Sequence, residues 1–162
     1  MVVVLQAVQG SEKEILRNLY ALYLHDLSTF TPNITIGANG FFEYEDLHMF
    51  WGNDGITPYF IKSDSDIVGF ILLLERPFLK KEHDFSIHDI FILNQFKGKG
   101  IGKQVIENVL KEKRGHYSVI ELVKNVPAIF FWKKVYRELN IEFDEEIQLI
   151  DDEECLVQTF KI

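Results

Sequence analysis

Apolar residues change period along the chain, and the changes predict an alternating series of strands and helices. Val2 to Val8 opens with a β-branched run that reads as a strand. Ser11 with Glu14 three residues on makes a capping-box pattern, and Ile15, Leu16, Leu19, Tyr20, Tyr23 and Leu24 follow at helical spacing, so a helix is expected that stops before Thr31-Pro32. Asn33 to Gly40 reads as a loop, Phe41 to Tyr44 as a short strand and Asp46 to Trp51 as helix-like. Thr57 to Lys62 and Ile67 to Glu75 then form an antiparallel hairpin about the polar turn Ser63-Asp64-Ser65-Asp66. Phe85 to Leu93 is rich in β-branched and aromatic residues, as a largely buried strand should be. Ile101, Val105, Ile106, Val109 and Leu110 give one face of the next helix, which Gly115 is placed to end as its C′ residue. His116 to Val123 reads as a strand and Asn125 to Trp132 as a helix start with Pro127 in its first turn. Glu145 to Leu149 and Glu154 to Phe160 are the final strands, turning at Asp151-Asp152.

Between the strand at 85–93 and its helix lies Gln95-Phe96-Lys97-Gly98-Lys99-Gly100-Ile101-Gly102-Lys103. Glycine lets backbone N–H groups approach an anion closely, and the helix that follows adds unpaired amides and the positive end of its dipole. Three lysines interleaved with the glycines strengthen the case for a phosphate-bearing ligand. A Walker A loop does not fit, since position 97 is lysine and Gln104 follows Lys103 where a magnesium-binding hydroxyl is required. A Rossmann fingerprint fits poorly: the glycines run Gly-x-Gly-x-Gly past the middle of the chain, with Glu121 near the distance of a ribose-binding acid.

Composition narrows the class. A chain of 162 residues with 47% hydrophobic and 14% aromatic content can bury a sizeable core, and a single domain over residues 1–162 is expected. No apolar run approaches the ~18 to 20 residues of a bilayer span, and Met1 to Leu5 lacks the basic start and cleavage site of a leader, so a cytoplasmic protein without membrane association is the expectation. Cys155 is alone and reads as a structural thiol, and the histidines at 25, 48, 83, 88 and 116 show no helical metal-ligand spacing, so no metal is expected. The net charge of −8 argues against nucleic acid and favours the approach of a cationic amine.

Gln95, Gly98 and Gly100 match Gln/Arg-x-x-Gly-x-Gly/Ala, and with the flanking strand, helix, strand and the later Asn125-x-x-Ala128 helix start the chain resembles the GNAT superfamily of acyl-CoA-dependent N-acyltransferases over roughly residues 65–140. The resemblance implies an α/β fold of the α+β type, a mixed, mostly antiparallel central sheet flanked by helices and splayed at a bulged central strand. It implies acetyl-CoA as acyl donor and an amine as acceptor. Gly98, Lys99, Gly100, Ile101, Gly102 and Lys103 would hold the pyrophosphate, with Gln95, Phe96 and Lys97 also in the cofactor site, backbone groups of Ile90, Phe91 and Ile92 would face the thioester, and Asn125, Pro127 and Ala128 would contact the pantetheine and thioester end.

The chain departs from the family pattern at both proton-transfer positions. His88 stands where many relatives carry a glutamate base, and with an ordinary pKa of about 6.5 it is competent near neutrality. Asp89 and Glu121 are weaker substitutes. Trp132 stands where relatives place a tyrosine acid; indole can orient a sulfur but is no practical proton donor, and Tyr136 one turn on offers a hydroxyl. For the acceptor, Tyr20, Tyr23, Asp26, Phe41, Phe42, Glu43, Tyr44, Glu45, Asp46 and Trp51 combine aromatic walls with carboxylates, which suits a small cationic amine. Two other readings stay open: a non-catalytic acyl-CoA-binding module and a nucleotide binder. The C-terminal strands and helix aromatics suit either a homodimer seam or an internal core.

Overall fold

The computed structural model describes residues 2–80 and 82–162, and its centre is a seven-stranded mixed sheet covered on both faces. In chain order the elements are β1 (Val3–Ala7), α1 (Lys13–Leu27), β2 (Ile56–Ser63), β3 (Asp66–Glu75), β4 (Phe85–Ile92), α2 (Ile101–Glu112), β5 (His116–Leu122), α3 (Val126–Glu138), β6 (Phe143–Ile150) and β7 (Glu153–Lys161). The strands lie in the order β1-β2-β3-β4-β5-β7-β6, antiparallel throughout except between β4 and β5. This is the mixed, mostly antiparallel α/β architecture that the sequence predicts.

β3 explains how two cores share one sheet. Its run Phe70-Ile71-Leu72-Leu73-Leu74 is buried throughout because both faces are covered. Ile71 and Leu73 join Ile87, Val105, Ile106, Val135 and Phe160 under α2 and α3. Phe70, Leu72 and Leu74 join Leu16, Tyr20, Leu24 and Phe50 under α1.

The structure corrects three local expectations and bears out a fourth. Ser11 is not the cap: Gly10–Glu12 form a 3-10 turn, and the Glu12 carboxylate accepts from the Gln9 amide at 3.0 Å, so the box sits two residues earlier. Phe41 to Tyr44 is not a strand; Tyr44 stacks on Tyr20 at 5.4 Å and Phe42 lies beside His25 at 5.5 Å, while Phe41 and Glu43 are exposed. Asp46 to Trp51 is helical as expected, within a 3-10 helix over Glu45–Trp51 that places Leu47 and Phe50 on one buried face at a spacing of three. Gly115 lies past the C′ position, because α2 stops at Glu112 with Lys113 as its cap.

Two irregularities prepare the site. β4 and β5 pair only at Phe85 with Tyr117 and Ser86 with Ser118, after which the strands part. On its other edge β4 pairs with β3 through Leu72 opposite Asp89 and then Leu73 opposite Ile87, which leaves His88 as the extra residue of a β-bulge. Further along that edge β3 and β4 touch so closely that a Cβ on Gly69 would lie 2.0 Å from the Phe91 carbonyl oxygen.

Candidate active site

The bulge decides which side chains meet. In a regular strand His88 and Asp89 would point to opposite faces. The inserted residue turns both toward α1, where His88 Nδ1 lies 3.1 Å from Asp89 Oδ2. Two hydroxyls from α1 complete the cluster: Tyr20 donates to Asp89 Oδ2 at 2.6 Å and Tyr23 to Asp89 Oδ1 at 2.7 Å. Tyr20 and Tyr23 share one face of α1 because they are three residues apart, and the rings of Phe70 and Phe91 pack around them.

The electrostatics follow from that geometry. The Asp89 carboxylate raises the pKa of His88 above the usual histidine value, against the opposing effect of burial. Burial would push Asp89 up, but the imidazole and the two phenol donors together hold it below the ordinary carboxylate range. Burial, then the Asp89 charge, pushes both tyrosines well above their usual value, so they remain hydrogen-bond donors. The His88 side chain is 48% exposed while that of Asp89 is 11% exposed, so the imidazole has access to an incoming group and the carboxylate sits behind it.

The glycine-rich turn lies past the far end of β4, after a 3-10 turn at Asn94–Phe96. Gly98 and Gly100 have φ of +75° and +78°, a conformation that favours glycine, and no heavy atom lies within 4 Å of where a Cβ would stand on either. Among the described residues no carbonyl accepts from the amides of residues 98–103, the donors at the start of α2. Lys97 pairs with Asp26 at 3.6 Å, Lys103 with Glu138 at 3.2 Å, and Lys99 lies over the Phe96 ring at 5.6 Å. Such half-exposed pairs are weak and exchange readily for a phosphate. Open glycines, free amides and exchangeable lysines fit a pyrophosphate, and the gap between β4 and β5 leads from this turn toward the bulge. Along that gap Ile90, Phe91 and Ile92 pair with β3 on one edge only.

Asn125 caps α3, its Oδ1 accepting from the Ala128 amide at 3.2 Å with Pro127 in the first turn, so its carbonyl side is committed to the helix. Trp132 and Tyr136 do not join His88. Both are buried in the other core, 4% and 1% exposed, and the Tyr136 hydroxyl donates to Gln158 Oε1 at 2.9 Å. Tyr136 is therefore corrected from proton donor to core residue. Glu121 also lies on the α3 side, 5% exposed, its two carboxylate oxygens without a hydrogen-bond partner among the described residues; burial and then the Glu145 charge push its pKa up to about 8. Among the described residues no group of three or more His, Cys, Asp and Glu is placed to hold a metal ion, and no helix is long and apolar enough to cross a membrane. Sequence reasoning assigned Tyr20 and Tyr23 to acceptor walls and missed their grip on Asp89.

A fold with a bulged, splayed sheet and a glycine-rich anion turn defines the class. The chain belongs to the GNAT family of acetyltransferases, whose family model matches residues 18–136. Its structure is similar to an acetyltransferase from Thermus thermophilus, with a TM-score of 0.74 at 11% identity, covering 100% of this chain and 98% of that one. It is also similar to an acetyltransferase of Salmonella typhimurium that modifies the N-terminal serine of a 50S ribosomal subunit protein, with a TM-score of 0.68 at 13% identity over 100% and 96% of the two chains. A variant of the spermidine N-acetyltransferase of Vibrio cholerae gives 0.63 at 13% identity over 98% and 94%. At such identities the likeness is one of fold. No curated protein matches the sequence significantly.

Proposed function

We propose that this chain transfers an acetyl group from acetyl-CoA to a primary amine, with His88 as general base. The observation that carries the reading is the bulge, which sets an exposed imidazole, backed by a buried carboxylate, beside the gap between β4 and β5. Acetyl-CoA, when bound, supplies an activated acyl group on a thioester. Amides of Gly98 to Lys103 hold its pyrophosphate, and the β5-side edge of Ile90 to Ile92 offers hydrogen bonds along the gap. Asn125 and the start of α3 border the pantetheine end, and Trp132 walls it from the core side.

Chemistry at His88 is limited to moving a proton. An ammonium is no nucleophile, so the acceptor must lose a proton before its nitrogen bonds to the acyl carbon and the carbon–sulfur bond breaks. His88 Nε2 receives that proton while Nδ1 keeps its contact with Asp89. As the carbon–sulfur bond breaks, the nitrogen loses its second proton to water and the thiolate takes one from water, so the two transfers balance and no tyrosine is needed at the position of Trp132.

Calorimetric titration with acetyl-CoA, beside ATP and NAD as controls, tests the reading together with amine-dependent release of CoA thiol. Selective binding of acetyl-CoA and turnover with an amine support it. Binding without turnover across a broad amine panel would leave a non-catalytic acyl-CoA module, and preference for ATP or NAD would leave a nucleotide site.

A further inference from the structure

A pocket of about 210 Å³ opens beside His88, on the α1 face of the sheet. Phe50, Leu72 and Leu74, all buried core residues, make its floor. Tyr44, Met49 and Phe78 make its walls, and Asp46, which is exposed, and His88 add a carboxylate and an imidazole. From this we infer that the acceptor is a monoamine with an apolar, preferably aromatic, tail: the tail enters the pocket and the amine stays at its His88 rim. The inference rests on the acetyltransferase reading and narrows it to one class of substrate.

Three features of the pocket argue for that class. First, its chemistry is that of a ligand site, apolar and aromatic surfaces with a few polar groups to fix orientation. Second, its size suits a ring, since a dry cavity of about 150 Å³ is enough to take up benzene. Third, its charge inventory admits one cation. Asp46 is the sole carboxylate among the lining residues, so it attracts one ammonium to the site that His88 then deprotonates. A polyamine would have to set its second ammonium against Phe50, Leu72 and Leu74 with no carboxylate to pair it, which is costly. The stack of Tyr44 on Tyr20, at 5.4 Å, ties the wall of the pocket to the phenol that holds Asp89, so the pocket and the base share one support.

The test compares 2-phenylethylamine, ethylamine and putrescine as acceptors in the intact protein with acetyl-CoA. The expected result is a kcat/KM for 2-phenylethylamine at least about tenfold above that for ethylamine and for putrescine, expressed mainly in KM, the scale set by filling an apolar pocket with a few carbons. Met49→Trp fills the pocket, and the ratio of 2-phenylethylamine to ethylamine should collapse toward one; Phe78→Ala, which removes a wall, should lower the same ratio if the tryptophan variant does not fold. Putrescine preferred, or a ratio unchanged in both variants, would overturn the inference while leaving acetyl transfer in place. If no amine is turned over, calorimetry of 2-phenylethylamine on the CoA-loaded protein decides: saturable binding that Met49→Trp abolishes supports the pocket, and absence of such binding overturns it.

Discussion

Replacing Asp89 with asparagine isolates the element of the site that the bulge creates. The parent carboxylate accepts from Tyr20 at 2.6 Å and Tyr23 at 2.7 Å and faces His88 Nδ1 at 3.1 Å. Asparagine keeps the shape but has one accepting oxygen and no charge, so at least one contact is lost and the imidazolium that forms during proton transfer loses its partner. A hydrogen bond to a charged group contributes about 1.5–3 kcal/mol. At 1.36 kcal/mol per decade that loss corresponds to a fall of about 10- to 150-fold in kcat/KM on the alkaline plateau. The pH profile gives a second signature. Because Asp89 holds the pKa of His88 above the usual histidine value, activity in the parent rises through that higher value as the imidazole becomes neutral, and in Asp89→Asn the rise moves to lower pH.

Stability follows the same linkage. The His88 contribution is full below its unfolded pKa of about 6.5 and is lost as pH rises through its raised folded value, and the Asp89 contribution is full above about 3.9 and is lost as pH falls through its lowered one. The melting temperature of Asp89→Asn should therefore fall furthest below the parent between those limits. Release of CoA thiol followed from pH 5.5 to 9 is the assay. An unchanged rate and an unchanged profile in Asp89→Asn would show that Asp89 does not support the base.

Other variants probe the glycine-rich turn and the core beneath α3. Gly100→Ala meets no neighbour within 4 Å but forces an L side chain into φ +78°, so it should lose about 1–2 kcal/mol of stability and weaken acetyl-CoA binding, both read by calorimetry. Glu121→Gln should raise the melting temperature above pH 8 and leave it unchanged near pH 4. Burial raises the folded pKa of Glu121 to about 8, so the parent loses stability as pH climbs from the unfolded value toward 8, and glutamine does not. Tyr136→Phe should cost about 1 kcal/mol by stranding Gln158, seen in denaturant melts, with kcat close to the parent.

Much of the fold was legible because the hydrophobic period changes cleanly. The alternation in Ile67 to Glu75 is masked by burial on both faces, yet its length and flanking turns still mark a strand, and Pro127 and Asn125 announce the start of α3. What failed was local. Phe41 to Tyr44 has strand composition, but the structure packs Phe42 and Tyr44 against α1 and leaves Phe41 exposed. The anion turn was legible from its glycines, and His88 from its offset to Gln95. The Asp89 cluster was not, since strand alternation puts residues 88 and 89 on opposite faces and only the bulge reverses that. Nor does local sequence join Tyr20 and Tyr23 to a carboxylate 69 and 66 residues away, although their shared helical face is visible. Tyr136 shows the opposite error, a hydroxyl at suggestive spacing that tertiary packing commits to Gln158.

The most direct test of the central claim is CoA-thiol release from acetyl-CoA across an amine panel, parent against His88→Gln, with acetyl-CoA affinity measured alongside. The expected result is amine-dependent release in the parent, a fall of about 10²- to 10⁴-fold in His88→Gln, and acetyl-CoA affinity within about twofold of the parent. Release that is independent of amine, or undiminished in His88→Gln, would contradict it.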